Sequence, residues 1–438
     1  MIYTDLIFVF LFLPVYAVLM FALRERYEKN LAAVVMSLIF FIWGRPLYYA
    51  LIFLNIFTTY AAGRLSSRSN YNIIRIAVTA LAAASTLPAA FALASDNTVK
   101  GAVSAFGALL FALRCGLYLK DAEDGGERNI VNLSVYLISF EFMAVSPVLA
   151  YSEIKECIAE RKTNLAMLSG GLERFVGGLA ASAVLGYSLE RVRQAALFEG
   201  AVPYINALVG VIAAGVEFYV IVCAYLAMSE GLCLIGGYRI KMWDSSFTPR
   251  SLVKNHLGYT YLSLAAVLNF VISGKKPYVL CAWLGILCVV VGFSLGFGAG
   301  AVAFAGIIAA AMLMQTLFES KKSIITGIFT GIAFVFGFVI LANGSLTALG
   351  RWFGAFSFGK YDFDISYALY TRLCQSWIWL LIAVAYASPL RRIAERWLRE
   401  RMSSSEVVYG IARTLGAVLS GVLVILSAAA MISAGGAY

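Results

Sequence analysis

Apolar runs of about 20 residues, the length a helix needs to cross the hydrocarbon core of a bilayer, recur from one end of this 438-residue chain to the other. Inside lipid no water can satisfy backbone amides and carbonyls, so such runs are stable only as helices that bond internally. They lie near 6–23, 31–43, 46–62, 72–94, 101–118, 130–150, 203–230, 256–273, 278–295, 298–318, 323–343, 366–388 and 407–434, and a less clear one, 164–187, is interrupted by glycine pairs and charged residues. The predicted fold is an all-α polytopic membrane bundle of roughly 11–13 helices with re-entrant or interfacial segments. Composition agrees, with 61% hydrophobic residues, 13% charged residues and a mean hydropathy of +0.85, far from a water-soluble domain. No stretch between the runs is long enough for a separate globular domain, so 1–438 reads as one transmembrane domain. The first run has no basic stretch before it and no small-residue cleavage site after it, which predicts a retained span, kinked by Pro14.

Charge in the short loops predicts sidedness, because basic residues mark the cytoplasmic face. The loops at 24–29, 63–75 and 114–128 carry three basic residues each, whereas those at 44–46 and 95–100 carry one each. An external N-terminus follows. The net charge of +10 is spread over such loops instead of forming a compact basic domain, which argues against a nucleic-acid partner. Three polar stretches stand out: 150–193 and 238–256, expected to be intracellular or interfacial, and 389–402, whose five arginines alternate with Ile393, Trp397 and Leu398. The last suits either the surface of anionic lipid or a solvated linker.

The seven cysteines lie singly, without CxxC spacing or histidine partners, so no metal site is expected and they read as small packing residues. In 150–193 the charges recur at helical spacing with both signs, as in surface helices laced by Glu/Arg pairs one turn apart. Its Gly170, Gly171, Gly177 and Gly178 suit close helix approach; no GKS or GKT follows to make a phosphate loop.

Chemistry is scarce. Glu141 and Glu217 sit inside apolar runs, where an ionised carboxylate must be paired or face water. One reading makes them hydrogen-bond acceptors of a substrate-lined cavity; the other pairs each with an arginine such as Arg174 or Arg239. His256, the one histidine of the chain, stands beside Lys254 and Asn255 with Thr260 one turn on. Either it is a satisfied interfacial residue or it serves as a base with Thr260 as hydrogen-bond partner.

Four segments, taken in order, resemble the membrane-bound O-acyltransferases, specifically the bacterial branch typified by the membrane subunit that acetylates alginate. FVFLFLPVYAVLMF with LIFFIWGRPLYYALIFLNIFTTYAAGRL is similar to that branch's opening. SPVLAYSEIKECI is similar to its Gly-Pro-x-x-x-Tyr-x-Glu segment through Pro147, Tyr151 and Glu153. GGLERFVGGL matches Glu-Gly-x-x-Arg-Phe-x-x-Gly through Gly171, Arg174, Phe175 and Gly178. EFYVIVCAYLAMSEGLCLIGGYRI resembles the family's aromatic-aspartate stretch and keeps Tyr225, Met228, Gly231, Gly237 and Arg239.

The resemblance implies an acyltransferase fold, an acyl-coenzyme A or acyl-carrier donor with no tightly bound cofactor, and a role in acylating a cell-surface polysaccharide. It also implies partners: a membrane-associated synthase or an extracytoplasmic acetyl-transferring protein. It departs from the family at the chemistry. Tyr259 falls where the family has its acid/base histidine, Phe297 where it has a second one, and Ile221 and Ala227 replace two aspartates. Acyl transfer to a hydroxyl requires a base near neutral pKa and an oxyanion donor; tyrosine, with a reference pKa near 10, is a poor base, and Phe297 can do neither. The expected function is that of a catalytically degenerate membrane subunit or conduit. The alternatives are an active transferase using His256, Glu217 or Tyr259, and a transporter or flippase on the same scaffold. Tyr151, Glu153, Arg174, Glu141, Tyr225, Arg239 and Phe297 are the expected substrate or cavity residues.

Overall fold

The computed structural model describes residues 3–43, 48–65, most of 74–86, 111–122, 127–142, 150–197, 203–238, 346–355, 365–387 and 406–433, with single positions between 307 and 343. Every regular element among them is helical. Among the described residues three helices are long and apolar enough to cross a membrane: Tyr204–Ile235, Tyr367–Tyr386 and Thr414–Ser433. The spans expected at 256–273 and 278–295, and the basic segment 389–402, lie outside the described residues. The chain divides into two compact units. One comprises Met1–Phe175, Leu226–Asp244 and Pro249–Leu284; the other comprises Val176–Tyr225, Ser245–Thr248 and Gly285–Tyr438.

In the first unit, α1 (Leu13–Ala22) is entered through a π turn, Phe8–Phe12, which takes up Pro14. Proline has no amide hydrogen for the ladder, so a locally widened helix is a cheap solution. Helices α2 (Arg26–Ile42), α3 (Tyr48–Arg64), α4 (Ile130–Ile138) and α5 (Tyr151–Ala159) follow. Helix α4 packs against α2, α3 and α5, and α1 packs against α2. The core is aromatic: Phe140 receives Phe12 edge-on at 5.2 Å and Tyr16 edge-on at 4.9 Å, with Phe40 at 5.4 Å. Such tilted and edge geometries suit the ring quadrupoles better than face-to-face stacking.

The span expected at 130–150 is not one helix. Helix α4 ends at Ser139, and a single 3-10 turn, Phe140–Phe142, follows. Non-helical backbone in an apolar interior must find side-chain partners, and here it does. The Phe140 amide donates to Ser37 Oγ at 3.2 Å, Tyr3 Oη donates to the Phe140 carbonyl, and Ser229 Oγ donates to the Glu141 carbonyl. A local apolar pattern cannot encode this break, because the groups that satisfy it come from residues about a hundred positions away.

In the second unit, Leu165–Ala180 (α6), the π segment Ala181–Gly186 and Tyr187–Ala196 (α7) continue one into the next, and α6 begins in the first unit. Helix α8 (Tyr204–Ile235) likewise starts in the second unit and ends in the first. Further on come α9 (Leu346–Gly354), α10 (Tyr367–Ala387) and α11 (Glu406–Ser433). Small residues set the packing: Ala181, Leu185 and Leu189 bury against Val220, Ala224 and Ala383. The N-terminus of α10 is tied to that of α8, since Asn206 Nδ2 donates to Ser366 Oγ at 2.7 Å and the Ser366 amide to Asn206 Oδ1 at 3.3 Å. Trp352 Nε1 donates to the Ala207 carbonyl at 3.0 Å. Only 11% of the apolar windows of α10 and α11 is buried, so Trp377, Leu381, Val418 and Ile425 present outward apolar surface of the extent that calls for an apolar surrounding.

Candidate functional site

Two carboxylate–arginine centres are built on Glu141 and Glu217, the acids of the apolar runs. In the first unit Glu141 lies on the 3-10 turn, and Arg161 lies just beyond α5. Arg161 Nη2 donates to Glu141 Oε1 at 3.3 Å, with neither side chain exposed. Tyr16 Oη, from α1, donates to the same carboxylate oxygen and accepts from Arg161 Nη2 at 3.2 Å. The remaining guanidinium hydrogens go to main chain and amide: Nε to the Gly236 carbonyl at 2.5 Å, and Nη1 to both the Lys29 carbonyl and Asn30 Oδ1 at 3.2 Å. Tyr238 lies under the guanidinium, 4.2 Å from Cζ to ring centroid. One arginine thus joins α1, α2, the 3-10 turn and the end of α8, and its planar fork suits that number of acceptors.

Burial alone would lower the Arg161 pKa, but the neighbouring Tyr238, Tyr16 and Glu141 carry it above its ordinary value, so the cation persists. Beside it, Lys29 donates to Thr163 Oγ1 at 2.7 Å. Burial, and then repulsion from Arg161, lowers the Lys29 pKa. Glycine is required at the meeting point. A Cβ on Gly236 would stand 2.7 Å from Tyr16 Oη, and Gly237, at φ +83°, would place one 2.8 Å from the Lys162 carbonyl. Glu141 Oε2 has no hydrogen-bond partner among the described residues.

In the second unit, Arg193 on α7 grips Glu217 on α8, with Nε to Oε2 at 2.6 Å and Nη2 to Oε1 at 3.2 Å. This bidentate fork occupies both carboxylate oxygens, the strongest geometry for such a pair. The arginines that pair with Glu141 and Glu217 are therefore Arg161 and Arg193, and Arg174 is not among them. Arg174 pairs instead with Glu230. The expected lacing of 150–193 by Glu/Arg pairs one turn apart is replaced by bonds between different elements, with Gln194 to Glu190 at 3.0 Å as a contact along the helix.

The other expected residues separate. Tyr151 is buried; its hydroxyl donates to Glu127, and its ring meets Tyr118 and Tyr136 edge-on at 5.3 and 5.2 Å. Burial, and then its bond to Glu127, raises the phenol pKa well above the ordinary range, leaving a protonated donor. Glu153 caps α5, accepting from the Ala150 amide at 3.0 Å. Tyr225 is buried in α8. His256, Tyr259, Phe297 and Arg239 lie outside the described residues. Sequence reasoning missed Arg161, Tyr16 and Tyr238. Each had a signal, an acid in an apolar run that must be compensated, but that signal names no partner. Among the described residues no group of three His, Cys, Asp or Glu side chains is placed to hold a metal ion. Of the cysteines expected to be packing residues, Cys115, Cys223 and Cys233 are buried thiols, whereas Cys157 is half-buried and Cys374 is exposed.

No protein-family model matches the chain, and no curated protein matches it.

Proposed function

We propose that this chain is a divergent, multi-pass O-acyltransferase-like protein of the bacterial inner membrane. It serves the acylation, by chemistry of the acetyl-transfer kind, of a cell-surface polysaccharide, and acts as a non-catalytic subunit or conduit. The observation that carries the reading is the packing of two of the resembling segments. A Cβ on Gly171 would lie 2.7 Å from the Gly231 carbonyl, and one on Gly231 would lie 2.5 Å from that of Gly171. In the same block Phe175 is fully buried, and Gly237 adopts a positive φ. Gly171, Gly231, Gly237 and Phe175, through which the resemblance in part runs, thus meet backbone atoms closely, while Gly170 and Gly177 face open space.

The non-catalytic part rests on side-chain chemistry. Glu217, an alternative base, has both oxygens committed to Arg193. With the guanidinium across both oxygens, neither is free to take the proton of a substrate hydroxyl. Tyr259 and Phe297 stand at the positions of the family's histidines, and neither side chain is suited to base catalysis near neutral pH. Donor, glycan and partner follow only the resemblance: an acyl-coenzyme A or acyl carrier, a surface polysaccharide, and a synthase or extracytoplasmic transferase.

The test is the O-acyl content of surface polysaccharide in a deletion strain of the source organism, complemented with the wild-type chain, His256→Ala or Glu217→Gln. Full restoration by His256→Ala is expected. A correctly inserted His256→Ala that leaves the polysaccharide unacylated would make His256 a displaced base and the protein an enzyme. Acylation that does not depend on the chain would favour a transporter.

A further inference from the structure

The stretch 150–193 reads from sequence as intracellular or interfacial, yet its second half pairs with α8 throughout. In the first unit Gly171 touches Gly231, and Arg174 pairs with Glu230. In the second unit a Cβ on Gly186 would meet Ile221 at 3.4 Å, Arg193 grips Glu217, and Leu197 and Ala196 lie against Gly210. As one residue number rises the other falls, which is the signature of an antiparallel helix pair. Both members are of membrane-crossing length. Helix α8 has 32 residues, and the run Leu165–Ala196 is helical without interruption, each about 48 Å at 1.5 Å per residue.

The charges that disguise the run fit this placement. Residues 175–189 carry none. Arg174 and Arg193, one on either side, each find a carboxylate on α8, and an ion pair enters lipid far more readily than an isolated charge. Alanine and glycine at 180, 181, 183 and 186 bring the two backbones close, where packing rather than hydrophobicity holds membrane helices together. Those same small residues lower the hydropathy below that of an ordinary span.

We infer that Leu165–Ala196 is itself a membrane crossing, forming with α8 a transmembrane hairpin whose lipid-facing partner is the bilayer. The Thr163 and Ile235 end is cytoplasmic, and the Ala196 and Tyr204 end is external. Sidedness follows from what gathers at the first end: Lys29 bonds to Thr163, and Arg161 to the Lys29 and Gly236 carbonyls, beside the basic loop 24–29. This inference rests on the membrane placement of the chain and not on its role in acylation.

The test is cysteine accessibility. In a chain whose native cysteines are replaced, Lys155→Cys and Pro203→Cys are treated with a membrane-impermeant maleimide in intact cells and again after permeabilisation. Resistance of the protein to carbonate extraction is measured alongside, so that failure of membrane insertion is recognised separately. Labelling of Pro203→Cys in intact cells, with Lys155→Cys labelled only after permeabilisation, is expected. Both positions reacting from one side, or the reverse pattern, would overturn the inference. If the cysteine-free chain fails to insert, the same comparison is made on the native chain with short epitopes placed after Lys155 and before Pro203, read by antibody in intact and permeabilised cells.

Discussion

Arg161 and Glu141 meet 3.3 Å apart with neither side chain exposed, and Tyr16 bonds to both. Removing one member leaves the other charged and buried, which typically costs about 3–5 kcal/mol, whereas removing both can be close to neutral. Arg161→Gln is expected to lower the unfolding temperature in detergent sharply. The double variant Arg161→Gln with Glu141→Gln should lose less than the two single losses added together. Strict additivity in thermal unfolding would count against a coupled centre.

Gly171 and Gly231 should tolerate no side chain. Alanine at either forces backbone atoms apart, and overpacking of this kind costs about 1–3 kcal/mol. Gly170→Ala and Gly177→Ala, which meet nothing within 4 Å, should instead be neutral or gain up to about 1 kcal/mol from helix propensity. Unfolding midpoints for the four variants give the comparison, and equal losses at all four would contradict the close approach.

Gly237 holds φ +83° immediately after α8. A left-handed conformation costs an L-residue about 1–2 kcal/mol, and here a Cβ also presses on the Lys162 carbonyl. Gly237→Ala is expected to destabilise more than Gly416→Ala, whose Cβ meets nothing; the two melting curves measured together decide it.

Arg193 and Glu217 lend themselves to a double-mutant cycle. Groups in direct ionic contact couple by about 0.5–3 kcal/mol, so Arg193→Leu and Glu217→Leu should each destabilise, with the pair of changes recovering part of the loss. A coupling energy of zero would show that the fork contributes nothing to stability.

Lys29 gives a pH dependence. Its pKa is lowered in the folded protein from the ordinary 10.5 by burial and by Arg161. The unfolded chain therefore binds more protons than the folded one between the lowered value and 10.5, and stability rises with pH across that window. Lys29→Met should flatten the alkaline rise in unfolding temperature relative to wild type. An unchanged slope would mean that Lys29 titrates alike in both states.

Much of the fold was legible because the signal was local. Tyr204–Ile235, Tyr367–Tyr386 and Thr414–Ser433 coincide with expected spans since a long uncharged apolar run has few alternatives to helix. The demand of Glu141 and Glu217 for partners was legible too, as a cost that must be met. The partners were not. Arg161 sits in ERKTN, which reads as a solvated loop, and only the convergence of α1, α2 and α8 removes it from water.

Sequence by itself determined that the chain is helical and apolar, and that its buried acids require compensation, because hydropathy and desolvation are properties of each residue and its near neighbours. Tertiary structure alone decided which arginine answers which acid, where the 130–150 run breaks, and that the charged 165–196 stretch is one continuous helix. Those outcomes depend on distances between groups up to 145 residues apart, as between Tyr16 and Arg161. A hydrogen bond or ion pair of some 3 Å exists only once the packing has brought its two ends together.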